Sequence, residues 1–371
     1  MRVYMDHNST TPIDPRVVDV MVSSLRDNYG NPSSAHTIGA TAAVAVERAR
    51  QQVAALVNAE ANQVVFCSSA TEAINTVLRG VGAGTLVTSM VEHSATLESA
   101  KALVELGATI KEIRVDSHGT LDWAMLEQAV RRHPRLVSIM WANNETGVMF
   151  PIAEIAELCA AHGVLLHVDA VQAAGKVDID LMTLPIAFLS ISSHKIFGPK
   201  GIAALLVSDT ASLHPILLGG DQERGLRAGT ENVAGIVGFG QAAELARLER
   251  VERMNQVAVL RDELENTILG QIPGTRVNGG GSPRVANTSS IEFPGIDSGD
   301  LAGVLDGIGI AVSSGSACHS KAISPSHVLM AMTGSREVAS QSIRFSLSHL
   351  NTPNEVQYVV KSLDGALAPL R

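Results

Sequence analysis

Three short stretches hold residues whose types and order fit one chemistry. In SSATEAIN (68–75), Ser68, Ser69, Ala70 and Thr71 stand between a strand-like run and a helix-like one. Small residues at a helix start let an anion approach the free N–H groups and the positive end of the helix dipole. The same residues also read as an ordinary helix cap with Glu72 in its first turn. In VLLHVDA (164–170), Asp169 closes an apolar run, and Gln172 follows three residues later. A carboxylate at the end of a buried strand needs a cation or strong donors; the alternative is a turn aspartate on the surface. In SSHKIFGPKG (192–201), Lys195 follows another apolar run, where desolvation and nearby dipoles lower an amine's pKa and free it to bond a carbonyl carbon. Ser192, Ser193 and His194 offer donors to a phosphate, while Lys200 reads as a solvated turn residue. An aldehyde, a ring nitrogen and a phosphate thus each find a complementary group, which is the set that pyridoxal phosphate requires.

Four further positions extend the set. His93, in VEHSAT, follows a strand, where an imidazole can stack on a cofactor ring and shuttle protons; it is otherwise a satisfied loop histidine. Asn143 and Asn144, in WANNETG, are either hydrogen-bonding groups for cofactor and substrate or turn formers. Arg344 lies inside the apolar run SIRFSLS. A guanidinium there demands a carboxylate, either an amino acid's α-carboxylate gripped by two N–H groups or a structural partner. Cys318 sits in the Ser/Gly-rich stretch VSSGSACHSKAISPS (312–326), beside His319 and Lys321. That setting suits a nucleophilic thiol of depressed pKa, with an incidental exposed cysteine as the alternative. Cys159, within the amphipathic IAELCAAH, reads as buried and structural.

Positioning these residues calls for a particular arrangement of elements. From about residue 40 to 240, short β-rich runs alternate with amphipathic helices, the pattern of a mostly parallel sheet covered on both faces. In such sheets ligands gather at the carboxyl ends of the strands, where the residues above fall. A charge-laced helix over 241–268 then forms a spine, and a loop-and-strand region of α+β texture follows. With 371 residues the chain has room for two domains, and 46% hydrophobic residues supply a core without disulfides. A net charge of -9, with no run of Lys or Arg, argues against direct nucleic-acid binding. Three cysteines without metal-ligand spacing suit a reducing compartment. The polar, proline-containing opening does not read as a signal peptide, and no apolar run is long enough for a membrane span. The expectation is a cytoplasmic protein.

In order along the chain, YMDHNSTTPIDPRV, GNPSSAH, SSATEAIN, EHSA, NNETGV, HVDAVQAAGK, SSHKIFGPKG, GGDQERGLRAGTEN, SSGSACHS and IRFSLS resemble the motifs of the cysteine desulfurases. These are pyridoxal-phosphate enzymes of the fold-type I, class V aminotransferase group. The resemblance covers nearly the whole chain, and SSGSAC is similar to the subgroup with a longer cysteine loop, which serves general iron–sulfur assembly or a dedicated sulfur pathway. It implies an α/β fold with a large domain, whose mostly parallel sheet is flanked by helices, and a smaller α+β domain. The expected division is 14–245 for the large domain, and 1–13 with 246–371 for the small one.

The resemblance also implies roles. Lys195 would bond the cofactor and move protons, Asp169 would pair with the pyridinium nitrogen, Gln172 would bond the ring hydroxyl, and His93 would stack on the ring. Ala70, Thr71, Ser192 and His194 would hold the phosphate, and Thr230 would reach the phosphate of a neighbouring subunit, which implies a homodimer. Asn144 and Arg344 would position L-cysteine. Cys318 would take its sulfur as a persulfide for a sulfur-acceptor protein such as an iron–sulfur scaffold, leaving alanine, and would be a transient iron–sulfur ligand. The chain departs from the family's frequent pattern at Ser69 and Ser193, where glycine is common, at His319 after the cysteine, and in lacking an arginine after RFSLS. Rival readings within the fold are a selenocysteine lyase, a cysteine sulfinate lyase or a plain aminotransferase, none of which needs Cys318. A cofactor-free scaffold has no use for Lys195, Asp169 and His93.

Overall fold

The computed structural model describes residues 1–314 and 325–370. A short strand β1 (Val3–Tyr4) leads to α1 (Pro15–Asp27) and α2 (Thr37–Leu56). Then β2 (Val64–Cys67), α3 (Ala70–Gly80), β3 (Thr85–Ser89), α4 (Ser94–Glu105), β4 (Thr109–Ile113), α5 (Trp123–Val130), β5 (Leu136–Met140), α6 (Ile152–Ala161) and β6 (Leu165–Asp169) alternate as the patterning predicts. Next come β7 (Phe188–Ser192), β8 (Ala203–Val207) and the long helix α7 (Val233–Gln271). Local chemistry sets several helix starts: Asp14 caps α1 with proline at its first position, Asp122 caps α5, and Ser69 caps α3.

Seven strands form one sheet in the order β2-β8-β7-β6-β5-β3-β4. All contacts from β7 through β4 are parallel, and β8 runs against both of its neighbours. Strands β2, β3, β5, β6 and β7 therefore point the same way, and their carboxyl ends lie along one edge. Strands β2, β5, β7 and β8 are buried at every position, as expected for a sheet covered on both faces.

Helix α7 begins eight residues before the expected 241. The stretch VAGIVGFG reads poorly as helix because of its glycines, but here they serve packing. A Cβ on Gly240 would come within 2.7 Å of the Ala49 Cα in α2. The missing side chain lets the two backbones approach, and tertiary packing overrides propensity.

Past α7 the chain forms β9 (Arg276–Val277), β10 (Thr288–Glu292), α8 (Ser298–Gly307), β11 (Ile310–Ala311), β12 (Ser313–Ser314), α9 (His327–Thr333), α10 (Arg336–Ser340), β13 (Ser342–Ser346) and α11 (Pro353–Leu367). A second, antiparallel sheet runs β12-β13-β10-β9. Its core joins Leu260, Leu264 and Ile268 of α7 to Phe293, Phe345 and Val359, and it also takes in Val3 and Met5 from the other end of the chain. β1 pairs in parallel with β11, so the N-terminal segment is stitched to this second core. Helices α9 and α10 instead send Val328, Leu329, Met332 and Ala339 into the core beneath the large sheet.

The segment carrying Thr230 is held by a buried ion pair. Both Glu223 oxygens accept from the Arg50 guanidinium at 2.8 Å, and the Phe66 N–H donates to Glu223 Oε2 at 2.8 Å. Glu223 and Arg224 have φ of 47° and 58°, a left-handed conformation that side chains disfavour. The pair, with side chains 11% and 3% exposed, keeps this turn in place. Arg50→Met leaves an uncompensated buried carboxylate and is expected to destabilise the fold by about 3–5 kcal/mol, read as a lower urea midpoint at unchanged m-value.

Candidate active site

The five co-directed strand ends and the N-terminal segment enclose a cavity of about 500 Å³. Of the residues singled out in the sequence, Ser68, Ser69, Ala70, Thr71, His93, Asn144, Asp169, Gln172, Ser192, His194, Lys195 and Arg344 all line it, although they come from five strand ends and a distant β13.

Lys195 ends a 3-10 turn, Ser193–Lys195, that follows β7. The Ile196 and Gly198 N–H groups both donate to the Ser193 carbonyl at 3.0 Å, and the Thr11 N–H and hydroxyl both donate to the His194 carbonyl at 3.0 Å. The Lys195 ammonium donates to the carbonyl of Asn8 and, at 2.8 Å, to that of Ser9. The turn is thus clamped from the N-terminal segment, and the amine is aimed into the cavity.

Asp169 accepts from the Val171 N–H at 3.0 Å, and the nearby Lys195 ammonium favours its charged form. Burial pushes its carboxyl up to about 6. At the start of α3, Ser69 accepts from the Glu72 N–H at 3.1 Å, and Glu72 is held by Arg227 at 2.9 Å and by both donors of Ser68. The Ala70 and Thr71 N–H groups lie in the unpaired first turn that suits an anion. Ser69 takes the place of a glycine without strain, because its φ of -162° is extended backbone.

Burial, then Lys195 and His327, draw the His93 imidazole down to about 4, so it is neutral at pH 7. Its Nδ1 accepts from the Ala95 N–H at 3.1 Å, which puts the proton on Nε2. His194, drawn down to about 4 by burial and then by Lys195 and Lys200, touches the Thr10 hydroxyl at 3.1 Å. Arg344 donates to Asp6 at 2.7 Å, the Ser9 hydroxyl at 2.9 Å and the Asn144 carbonyl at 3.0 Å; its buried Nε–H has no partner among the described residues.

The role expected of Ser193 is corrected, and Asn143 takes the turn-forming reading of its two alternatives. Ser193 does not line the cavity: side chains alternate in direction past Ser192, and the fully buried Ser193 Oγ lies where a Cβ on Gly198 would approach within 2.0 Å. Asn143 is also buried, holding the turn through its Oδ1, which accepts from the N–H groups of Glu145 and Thr146, at 2.9 and 3.0 Å. Lys200 is exposed, as read from the turn, yet it stands on the cavity wall. Thr230 is exposed and lies outside the cavity of its own chain.

Cys318, His319 and Lys321 lie outside the described residues. Both ends of their segment are tied to the site. Ser313 of β12 pairs with Arg344, the Ser326 hydroxyl donates to Glu145, and the His327 ring contacts the Glu92 carbonyl at 2.9 Å. Among the described residues no group of His, Cys, Asp or Glu could hold a metal ion.

Sequence reading missed Asp6, Asn8, Ser9, Lys176 and Glu92. Asn8 and Ser9 had a signal, the polar run DHNST ahead of a proline. Lys176 ends the HVDAVQAAGK motif, and its ammonium donates to Gln172 Oε1 at 2.7 Å; burial, with help from Lys195 and Arg344, draws it down to about 7. Glu92 is fully buried and pushed up to about 8 by desolvation, with Ser89 donating to it at 2.6 Å.

These residues fit pyridoxal phosphate. Asp169 is a buried carboxylate that would complement a protonated ring nitrogen, the α3 start suits a phosphate, and the Lys195 amine lines the same cavity. Because the folded-state pKa of Asp169 is raised, its ionisation weakens the cofactor-free fold as pH rises from the unfolded value of 3.8 through about 6. Asp169→Asn is therefore expected to stabilise the cofactor-free chain by roughly 2–3 kcal/mol at pH 8, with the gain vanishing toward pH 4. Urea unfolding at the two pH values measures this, and a stabilisation independent of pH would contradict it.

The model of the aminotransferase class-V family matches residues 3–359. A cysteine desulfurase of Nostoc sp. is 44% identical over 374 residues, covering 100% of this chain and 94% of that protein. A solved NifS-like protein superposes with a TM-score of 0.93 at 38% identity, covering 99% of this chain and 100% of that one. A structure of SspA in complex with cysteine gives a TM-score of 0.82 at 30% identity, over 95% and 100% of the two chains. The chain belongs to the class-V aminotransferase family and, within it, to the pyridoxal-phosphate-dependent cysteine desulfurases.

Proposed function

We propose that this chain removes sulfur from L-cysteine, leaving L-alanine, and carries that sulfur as a persulfide on Cys318. The observation that carries this reading is the meeting of the Lys195 amine, the Asp169 carboxylate, the α3 start and Arg344 around one cavity, with both ends of the Cys318 segment tied to its rim. When bound, pyridoxal phosphate supplies an electron sink for the bonds broken at the substrate's carbons.

The chain's own residues do the rest. Lys195 gives the cofactor its attachment point and moves protons at the substrate's Cα. Asp169 would hold a proton on the ring nitrogen, and Gln172 would donate to the ring hydroxyl. The neutral His93 ring would stack on the cofactor and, with Nδ1 engaged by Ala95, offers Nε2–H as a donor. The N–H groups of Ala70 and Thr71, with Ser192 and His194, hold the phosphate. Arg344, oriented by Asp6, and Asn144 take the substrate, with the Arg344 Nε–H available to the α-carboxylate. Cys318, as a thiolate, would attack the substrate's sulfur, so that the S–S bond forms as the Cβ–S bond breaks, with its electron pair passing to carbon, which takes up a proton to become alanine.

Thr230, exposed and outside its own chain's cavity, would bind the phosphate of a second copy, making the working unit a homodimer. The sulfur would pass to an acceptor protein such as an iron–sulfur scaffold, with Cys318 as a transient cluster ligand. The proposed division is a large domain of 14–245 and a small one of 1–13 with 246–371; the second core supports it, while α9 and α10 pack on the large domain's core. No described helix is long and apolar enough to cross a membrane, and the two described cysteines are free, which suits the cytoplasm.

Cys318→Ser is expected to keep the absorbance of the lysine-bound cofactor and to lose sulfide production from L-cysteine. Full retention of that activity would overturn the persulfide step. Arg344→Lys removes the planar fork and is expected to raise KM for L-cysteine at least tenfold, with a smaller change in kcat. Steady-state kinetics on the purified holoenzyme separate the two.

A further inference from the structure

We infer that Lys176 is a positioning residue, whose ammonium holds the Gln172 amide in the one orientation that turns a donor toward the cofactor. A glutamine amide is nearly symmetric in shape, and its two orientations offer opposite hydrogen-bonding groups. Gln172 is 5% exposed, so its amide is set by protein neighbours. Lys176 Nζ lies 2.7 Å from one amide atom, and the Asn8 carbonyl lies 2.9 Å from the other.

An ammonium only donates and a carbonyl only accepts, so the atom facing Lys176 is the oxygen and the atom facing Asn8 is the nitrogen. One amide hydrogen is used on the Asn8 carbonyl. The second belongs to a residue lining the cavity and is available to an acceptor there. Lys176 is itself fixed by a second contact, to Asn8 Oδ1 at 3.2 Å. That oxygen also accepts from Asn287 Nδ2 at 2.9 Å, while Asn8 Nδ2 donates to Thr288 Oγ1 at 2.8 Å. Each polar atom of the Asn8 side chain is thus matched, and the order extends from β10 through Asn8 and Lys176 to Gln172. Without the ammonium, the amide keeps only the Asn8 carbonyl to distinguish its two ends, and its oxygen loses its partner.

The inference rests on pyridoxal phosphate occupying the cavity, and its test is a double-mutant cycle on cofactor affinity. Purified holoenzyme and its variants are dialysed free of cofactor, then titrated with pyridoxal phosphate while absorbance and protein fluorescence are followed. Lys176→Met and Lys176→Ala are each expected to raise the cofactor Kd about tenfold in the Gln172 background, the worth of one oriented hydrogen bond. In a Gln172→Ala background the same substitutions are expected to change Kd less than twofold, because no amide remains to be oriented. An equal loss in both backgrounds, or a loss confined to Lys176→Ala, would overturn the inference by showing charge or packing at work instead. A wild-type chain that takes up no cofactor would overturn the cofactor reading along with it.

Discussion

Burying the Asp169 carboxylate at the end of a central parallel strand is the constraint around which the site is arranged. A negative charge in that position is costly without a cation, and burial holds its acid form to higher pH than usual. In the proposed function, a protonated ring nitrogen would relieve that cost. The neutral imidazole of His93 and the protonated Glu92 nearby follow from the same dry environment. Lys195 is held in place by the backbone carbonyls of Asn8 and Ser9.

A second theme is the use of the N-terminal segment as a connector. Asp6 pairs with Arg344, Asn8 and Ser9 accept from Lys195, and Thr11 clamps the turn that carries that lysine. Strand ends supply the reactive groups, but a dozen residues from the start of the chain align them. The same segment places Val3 and Met5 in the second core, so the two halves of the molecule share it.

Much of this was legible in the sequence. The strands and helices through residue 208 appear with small shifts at their ends, because burial on both faces gives continuous apolar runs and the helices carry clear caps. The three chemical stretches meet because strand direction brings their ends to one edge, which local patterning predicts well. Ser193 was misread because the direction of a side chain just past a strand end depends on the turn, which sequence alone does not specify. The early start of α7 was missed because glycine signals a break locally, whereas here it permits helix contact. Asn8 was missed because its partners Gln172 and Lys176 lie more than 160 residues away, and Lys176 because a lysine four residues past a glutamine gives no sign in sequence that it is buried.

The pairing of β1 with β11 has a consequence for biosynthesis. The residues that align Lys195 are among the first made, yet their anchor lies past residue 300, and Arg344 comes later still. Such distant contacts close late, after the large sheet has its full complement of strands. The contacts of Asn8, Ser9 and Thr11 to residues 172–195 can form once the large sheet is made, but those of β1 and Asp6 must wait for β11 and Arg344. A nascent chain stalled at 340 would hold a complete sheet and an incomplete reaction centre.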